Sequence, residues 1–211
     1  MVFLLHGSGD NDSHWSVLGR ANVIADNLLA DRKAEPMIIV MPDGHAYRPR
    51  PDEPRETGRA TATARFEQDL LREVAPVVER TYRVKPGRED RAIVGLSMGG
   101  GQSLTVGLKN PDRFAWIGAF SSSTMGLDPI VQLLGKDAAG FNGGSRLLWI
   151  RIGRDDFLLE QNRTLIAGLK AAGLRHEYLE TDGAHMWGVW RQYLADFLPR
   201  LFRTSQSSAS R

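Results

Sequence analysis

Arg91-Ala92-Ile93-Val94-Gly95-Leu96-Ser97-Met98-Gly99-Gly100-Gly101 is the stretch that decides the fold. Its first residues are apolar and β-branched, its middle is Gly-x-Ser-x-Gly, and a helix is expected to follow, so a strand runs into a sharp turn and out into a helix. The glycines have a reason. Side chains at 95 and 99 would collide with neighbouring backbone, while Ser97 is thrust outward in a strained conformation. The following helix aims its unpaired amides at the place where negative charge would develop on a reacting group. The pentapeptide alone is weak evidence of chemistry; the strand before it and the helix after it make it specific.

Outward from this turn, short β-rich runs at residues 2–5, 37–41, 91–94, 115–120, 147–152 and 176–179 alternate with segments of helical period. That alternation predicts a mostly parallel sheet of about six or more strands with helices on both faces. Leu70, Leu71, Val74, Val77 and Val78 fall at helical spacing, as do Trp190, Tyr193, Leu194, Phe197, Leu198 and Leu201, and residues 22–29 and 158–169 supply further helices. The Pro-, Arg- and Gly-rich segment 44–63 reads as a long surface loop near the carboxyl edge of the sheet, where substrate contacts are common. Residues 121–145 read as an insertion able to roof a pocket.

At 211 residues the chain is expected to form one domain over residues 1–203, with a flexible Ser-rich tail over 204–211. Hydrophobic residues make up 42% and charged residues 25%, which argues against disorder, and no apolar run approaches the ~20 residues that cross a bilayer. The net charge is +2, with basic and acidic residues interspersed, so neither nucleic acid nor membrane is expected as a partner. There are no cysteines, which excludes disulfide frameworks, zinc ribbons and thiol nucleophiles. The first residues show no basic segment leading into an apolar stretch and a small-residue cleavage site, and the cellular address is not legible.

A serine hydroxyl needs a base within hydrogen-bond reach, itself oriented by a carboxylate. After a nucleophile elbow of this kind, the α/β-hydrolase fold brings the acid and then the histidine, each near the carboxyl end of a strand. His185, in Thr181-Asp182-Gly183-Ala184-His185, satisfies both order and location; His6, His14, His45 and His176 do not. For the acid, Gly153-Arg154-Asp155-Asp156 offers two adjacent aspartates that point in different directions. Asp156 is chosen, with Asp155 as its rival and the expected cap of the next helix. His6-Gly7-Ser8-Gly9 follows the first strand, where this fold places half of an oxyanion hole, so the backbone amides of Ser8 and Met98 are the expected donors. Trp15, Tyr47 and Trp187 are candidates to stack on an acyl group.

With these residues in view, the chain resembles the bacterial feruloyl esterases of carbohydrate esterase family one, the esterase D group. The resemblance rests on Gly95 to Ser103, on Arg80-Thr81-Tyr82 with Arg91-Ala92-Ile93, on Ala21 to Leu28, and on Gly183-Ala184-His185-Met186-Trp187 with Trp190-Arg191. It implies an esterase without metal or other cofactor that releases ferulate or acetate from plant cell-wall polysaccharide, with the triad on Ser97, Asp156 and His185. Family members usually carry strands ahead of the His-Gly segment, so a sheet lacking those first edge strands is expected. A small-ester, thioester or siderophore esterase, an acyltransferase, and a non-catalytic carbohydrate-binding domain are the alternative readings.

Overall fold

The structure, a computed structural model, describes residues 1–47, 51–52 and 54–203; the tail expected over 204–211 lies outside them. Among the described residues, β1 (Val2–Leu5), β2 (Ile39–Val40), β3 (Ala92–Leu96), β4 (Trp116–Phe120), β5 (Leu147–Gly153) and β6 (Glu177–Thr181) form one sheet in the order β2-β1-β3-β4-β5-β6. Every pairing is parallel. The six expected runs all become strands. The chain winds outward from β1 to β2, then returns to β3 on the other side of β1, so the β1/β3 boundary is the topological switch point where α/β sheets form clefts.

Successive side chains of a strand face opposite sides, and here both sides are buried. Phe3, Leu5, Ile93, Ile117, Ala119, Leu148 and Ile150 enter one core. Val2, Leu4, Val94, Phe120, Leu147 and Trp149 enter the other. Each fully buried apolar side chain contributes about 1.5–3 kcal/mol, which accounts for the near-continuous apolar runs. The second core is aromatic. Phe120 meets Trp15, Trp149, Tyr193 and Phe197 at ring-centroid distances of 6.4, 5.5, 5.7 and 6.0 Å, all close to edge-on. Helices α1 (His14–Val17), α2 (Ala21–Ala30) and α9 (Trp187–Phe197) cover that face.

The opposite face is covered by α3 (Arg55–Asp69), α4 (Ala75–Thr81), α5 (Ser97–Lys109), α6 (Asp128–Gly135), α7 (Ala138–Gly144) and α8 (Leu159–Ala171). Two sequence expectations are corrected here. The loop expected over 44–63 gives way at residue 55 to α3, which sends Phe66 fully into the core. A π-turn at Leu70–Val74 joins α3 to α4 just ahead of Pro76, whose missing amide and bulky ring a regular helix does not accommodate. The insertion expected to roof a pocket, 121–145, instead folds as α6 and α7, and Leu127, Val131 and Phe141 bury themselves in the first core. Apolar spacing within that segment outweighs its glycines.

Candidate active site

Ser97, Asp156 and His185 stand beyond the carboxyl ends of three strands, β3, β5 and β6. Ser97 opens α5 directly after β3, and its φ of 53° is the left-handed conformation that a nucleophile elbow imposes. Holding a non-glycine residue there costs about 1–3 kcal/mol, so the surroundings must over-determine it. They do: a Cβ on Gly95 would lie 2.6 Å from the Gly99 oxygen, and one on Gly99 would fall within the backbone of Leu5 and His6. The absence of side chains at these two positions lets β1, β3 and α5 meet at van der Waals distance.

His185 follows β6 and Asp156 follows β5. His185 Nε2 lies 3.0 Å from Ser97 Oγ, and His185 Nδ1 lies 2.8 Å from Asp156 Oδ2. A carboxylate at Nδ1 favours the tautomer that carries its proton there, the one in which Nε2 can accept from the hydroxyl. The Asp156 side chain is fully buried. Burial pushes its carboxyl up, but hydrogen bonds from His185, the Leu158 amide and Ser121 outweigh this and hold its pKa below the ordinary value. Of the two rival aspartates, Asp155 is exposed and Asp156 meets the imidazole. The cap expected from Asp155 is not formed, because α8 begins without a side-chain cap and Asp156 Oδ1 itself accepts the Leu158 amide at 2.9 Å.

Sequence reasoning missed three supports of this arrangement. Ser121, also in a left-handed conformation with φ 47°, hydrogen-bonds Asp156 and accepts the Trp190 indole N–H at 3.1 Å. Trp190, read from its spacing as a core residue, is buried with its edge against the His185 ring, centroids 4.9 Å apart. Asp10 accepts the Gly7 amide at 3.1 Å through Oδ2 and pairs with His14 Nδ1 at 2.7 Å through Oδ1. No motif announces Ser121. The Asp10 and His14 pair stands four apart in the sequence, a spacing that a short turn can close.

Gly7, Ser8, Asp10, Leu96, Ser97 and His185, with Met186, Trp187 and Trp190, line a cleft of about 370 Å³. Met98 is the second residue of α5, where an amide has no intrahelical acceptor. Trp187 is half-buried in the cleft wall. Trp15 is not available to a substrate: it is buried, donates its indole N–H to the Leu5 carbonyl at 2.9 Å, and stands edge-on behind Trp187 at 5.2 Å. Tyr47 lies outside the residues that line the cleft. A separate cluster of His6, Asp43 and His45 has metal-ligand chemistry. However, His6 Nε2 accepts the Gly44 amide at 2.8 Å and Nδ1 is 2.8 Å from the Gly7 carbonyl, so both ring nitrogens are engaged in joining two loops.

A parallel α/β sheet with a serine in a strained elbow, an imidazole on its hydroxyl and a buried carboxylate behind the imidazole defines the class of serine hydrolases. Within that class, the sequence matches the Esterase family, described as "Putative esterase", over residues 1–201, and the chain belongs to it. It is 33% identical over 205 residues to an endo-1,4-beta-xylanase/feruloyl esterase of Xylanibacter ruminicola, covering 96% of this chain but 26% of that protein. The chain therefore spans about a quarter of that relative's length. It is 26% identical to an acetyl esterase of Caldicellulosiruptor saccharolyticus, with 92% of this chain and 80% of the other covered. A solved ferulic acid esterase superposes with a TM-score of 0.81 at 26% identity, over 96% of this chain and 85% of that one. This chain is thus an esterase-family chain with the α/β-hydrolase fold.

Proposed function

We propose that the protein is a feruloyl or acetyl xylan esterase that cleaves plant cell-wall esters through a Ser97-His185-Asp156 acyl-enzyme mechanism. The observation that carries this reading is the continuous hydrogen-bonded line from Ser97 Oγ through His185 to the buried Asp156. Neutral His185 takes the Ser97 proton as the oxygen attacks the ester carbonyl, and Asp156 steadies the imidazolium that forms. The amides of Ser8 and Met98 receive the carbonyl oxygen as it becomes negative; each such donor is typically worth about 10²–10³ in turnover. His185 then hands the proton to the departing alcohol oxygen. A water, deprotonated by the same imidazole, attacks the acyl carbon, and the acid leaves with Ser97 restored.

Trp187, in the cleft wall, is the surface on which an aromatic acyl group would stack. The names of the relatives favour the same substrates: one is a xylanase joined to a feruloyl esterase, another an acetyl esterase. A side-by-side assay of methyl ferulate, acetylated xylan and short nitrophenyl esters tests the reading. Preference for ferulate or acetylated xylan is expected. Turnover confined to thioesters or siderophore esters would contradict it, and acyl transfer to an added sugar faster than hydrolysis would make the protein a transferase.

A further inference from the structure

His185 sits between two aromatic rings of opposite character. Trp190 is buried and committed to Ser121 through its indole N–H. Phe157, with its ring centroid 4.5 Å from that of His185 and tilted by 51°, leaves 74% of its surface exposed, the most among the large apolar side chains that stand out from the fold. Single exposed apolar residues are ordinary on protein surfaces. This one touches the catalytic base, and it stands one residue after Asp156, in the turn between β5 and α8.

Stereochemistry says what meets it there. The proton on His185 Nε2 must reach the leaving oxygen, so the alcohol half of the ester comes to the imidazole and whatever rings the imidazole borders that alcohol. On the mechanism proposed above the acyl half fills the cleft with Gly7, Ser8 and Trp187; that cleft reaches His185, and Phe157, the ring's other neighbour, is not among its lining. The loops after β5 and β6 are tied by Arg154 N to Thr181 O at 2.7 Å and Asp155 N to Gly183 O at 3.1 Å. They present an exposed Arg154–Asp182 pair, 2.5 Å apart, whose side chains are 55% and 98% exposed. An exposed apolar ring on a loop that also carries charged hydrogen-bonding groups suits a sugar ring, which is apolar on its C–H face and polar at its hydroxyl edge.

We propose that Phe157 is the platform for the sugar ring of the leaving alcohol, which makes it a specificity-determining residue for carbohydrate esters over simple alkyl esters. This rests on the esterase reading above. The test compares Phe157→Ala and Phe157→Trp with the unaltered protein on two esters that share one acyl group, feruloylated arabinoxylo-oligosaccharide and methyl ferulate. A platform predicts that the alanine variant loses about tenfold more in kcat/KM on the sugar ester than on methyl ferulate, the difference lying chiefly in KM, with tryptophan restoring it. An equal loss on both esters would overturn the proposal, since it would mean that the ring only shelters His185; so would no loss on either. A tryptophan-fluorescence titration with the unesterified arabinoxylo-oligosaccharide gives a second readout that needs no turnover. Saturable binding that Phe157→Ala weakens supports the platform, and equal or absent binding in both proteins contradicts it. Hydrolysis of neither ester by the unaltered protein would instead count against the substrate reading, and the titration would still decide the platform.

Discussion

The two halves of the site are built differently. The half that carries Ser97, from β1 and β3, is fixed by backbone: Gly95 and Gly99 bring chain against chain, and the Ser97 turn is held in a conformation that it would not adopt freely. The half that carries Asp156 and His185, after β5 and β6, is fixed by side chains: with Ser121 and Trp190 they form a set joined by hydrogen bonds and an edge-on ring contact. The contrast separates two consequences of substitution. Changes in the first half should act on folding as well as on chemistry, whereas changes in the second should act on chemistry with the fold largely retained.

The largest expected effect breaks the second half alone. Asp156→Asn keeps the shape but presents the wrong hydrogen-bonding partner to His185 Nδ1, so kcat should fall by about 10⁴-fold while circular dichroism stays unchanged. A variant that loses its fold at room temperature would refute the contrast. Gly99→Ala addresses the first half: its Cβ has no space against Leu5 and His6, and a loss of about 1–3 kcal/mol or more is expected in urea unfolding. Unfolding at an unchanged urea midpoint would contradict the close packing assigned to that position.

Asp10 lies between the two cases, because it is a side chain that holds backbone. Asp10→Ala frees the Gly7 amide and should lower kcat by about tenfold, with KM for methyl ferulate little altered, as the Ser8 amide loses its aim at the developing oxyanion. A change confined to KM would make Asp10 a substrate contact instead. The smallest effect concerns pH. The Asp156 carboxyl is held below its ordinary pKa, so the stability it contributes is fully present above about pH 4 and is lost as pH falls through the folded-state value. The gap in urea midpoint between the unaltered protein and Asp156→Asn should therefore narrow as the pH drops from 7 to 3; a constant gap would place its origin elsewhere.

The backbone-built half is also the legible one. Gly-Leu-Ser-Met-Gly announces its own turn, because only a strand-turn-helix of that tightness requires those glycines, and His6-Gly7 falls after a strand that a continuous apolar run identifies. His185 and Asp156 were accessible from their order and their place after strands. Their supports were not: Ser121 acts through an uncommon backbone conformation, and Trp190 through a stripe that reads as core and does lie in the core. Helix α3 is hidden because its proline- and glycine-rich lead-in has no apolar period before Phe66, whose burial settles the matter only once the sheet is in place. Trp15 misled for the same reason: an aromatic near a catalytic loop reads identically whether it faces the cleft or backs its wall.

The account depends on Ser97 being activated by its neighbour His185. Fluorophosphonate labelling followed by peptide mass mapping measures this, run on the unaltered protein and on His185→Ala. Rapid modification of Ser97, slowed by several orders of magnitude in the variant, is the predicted result. Label on a different residue, or on Ser97 at the same rate in both proteins, would contradict it.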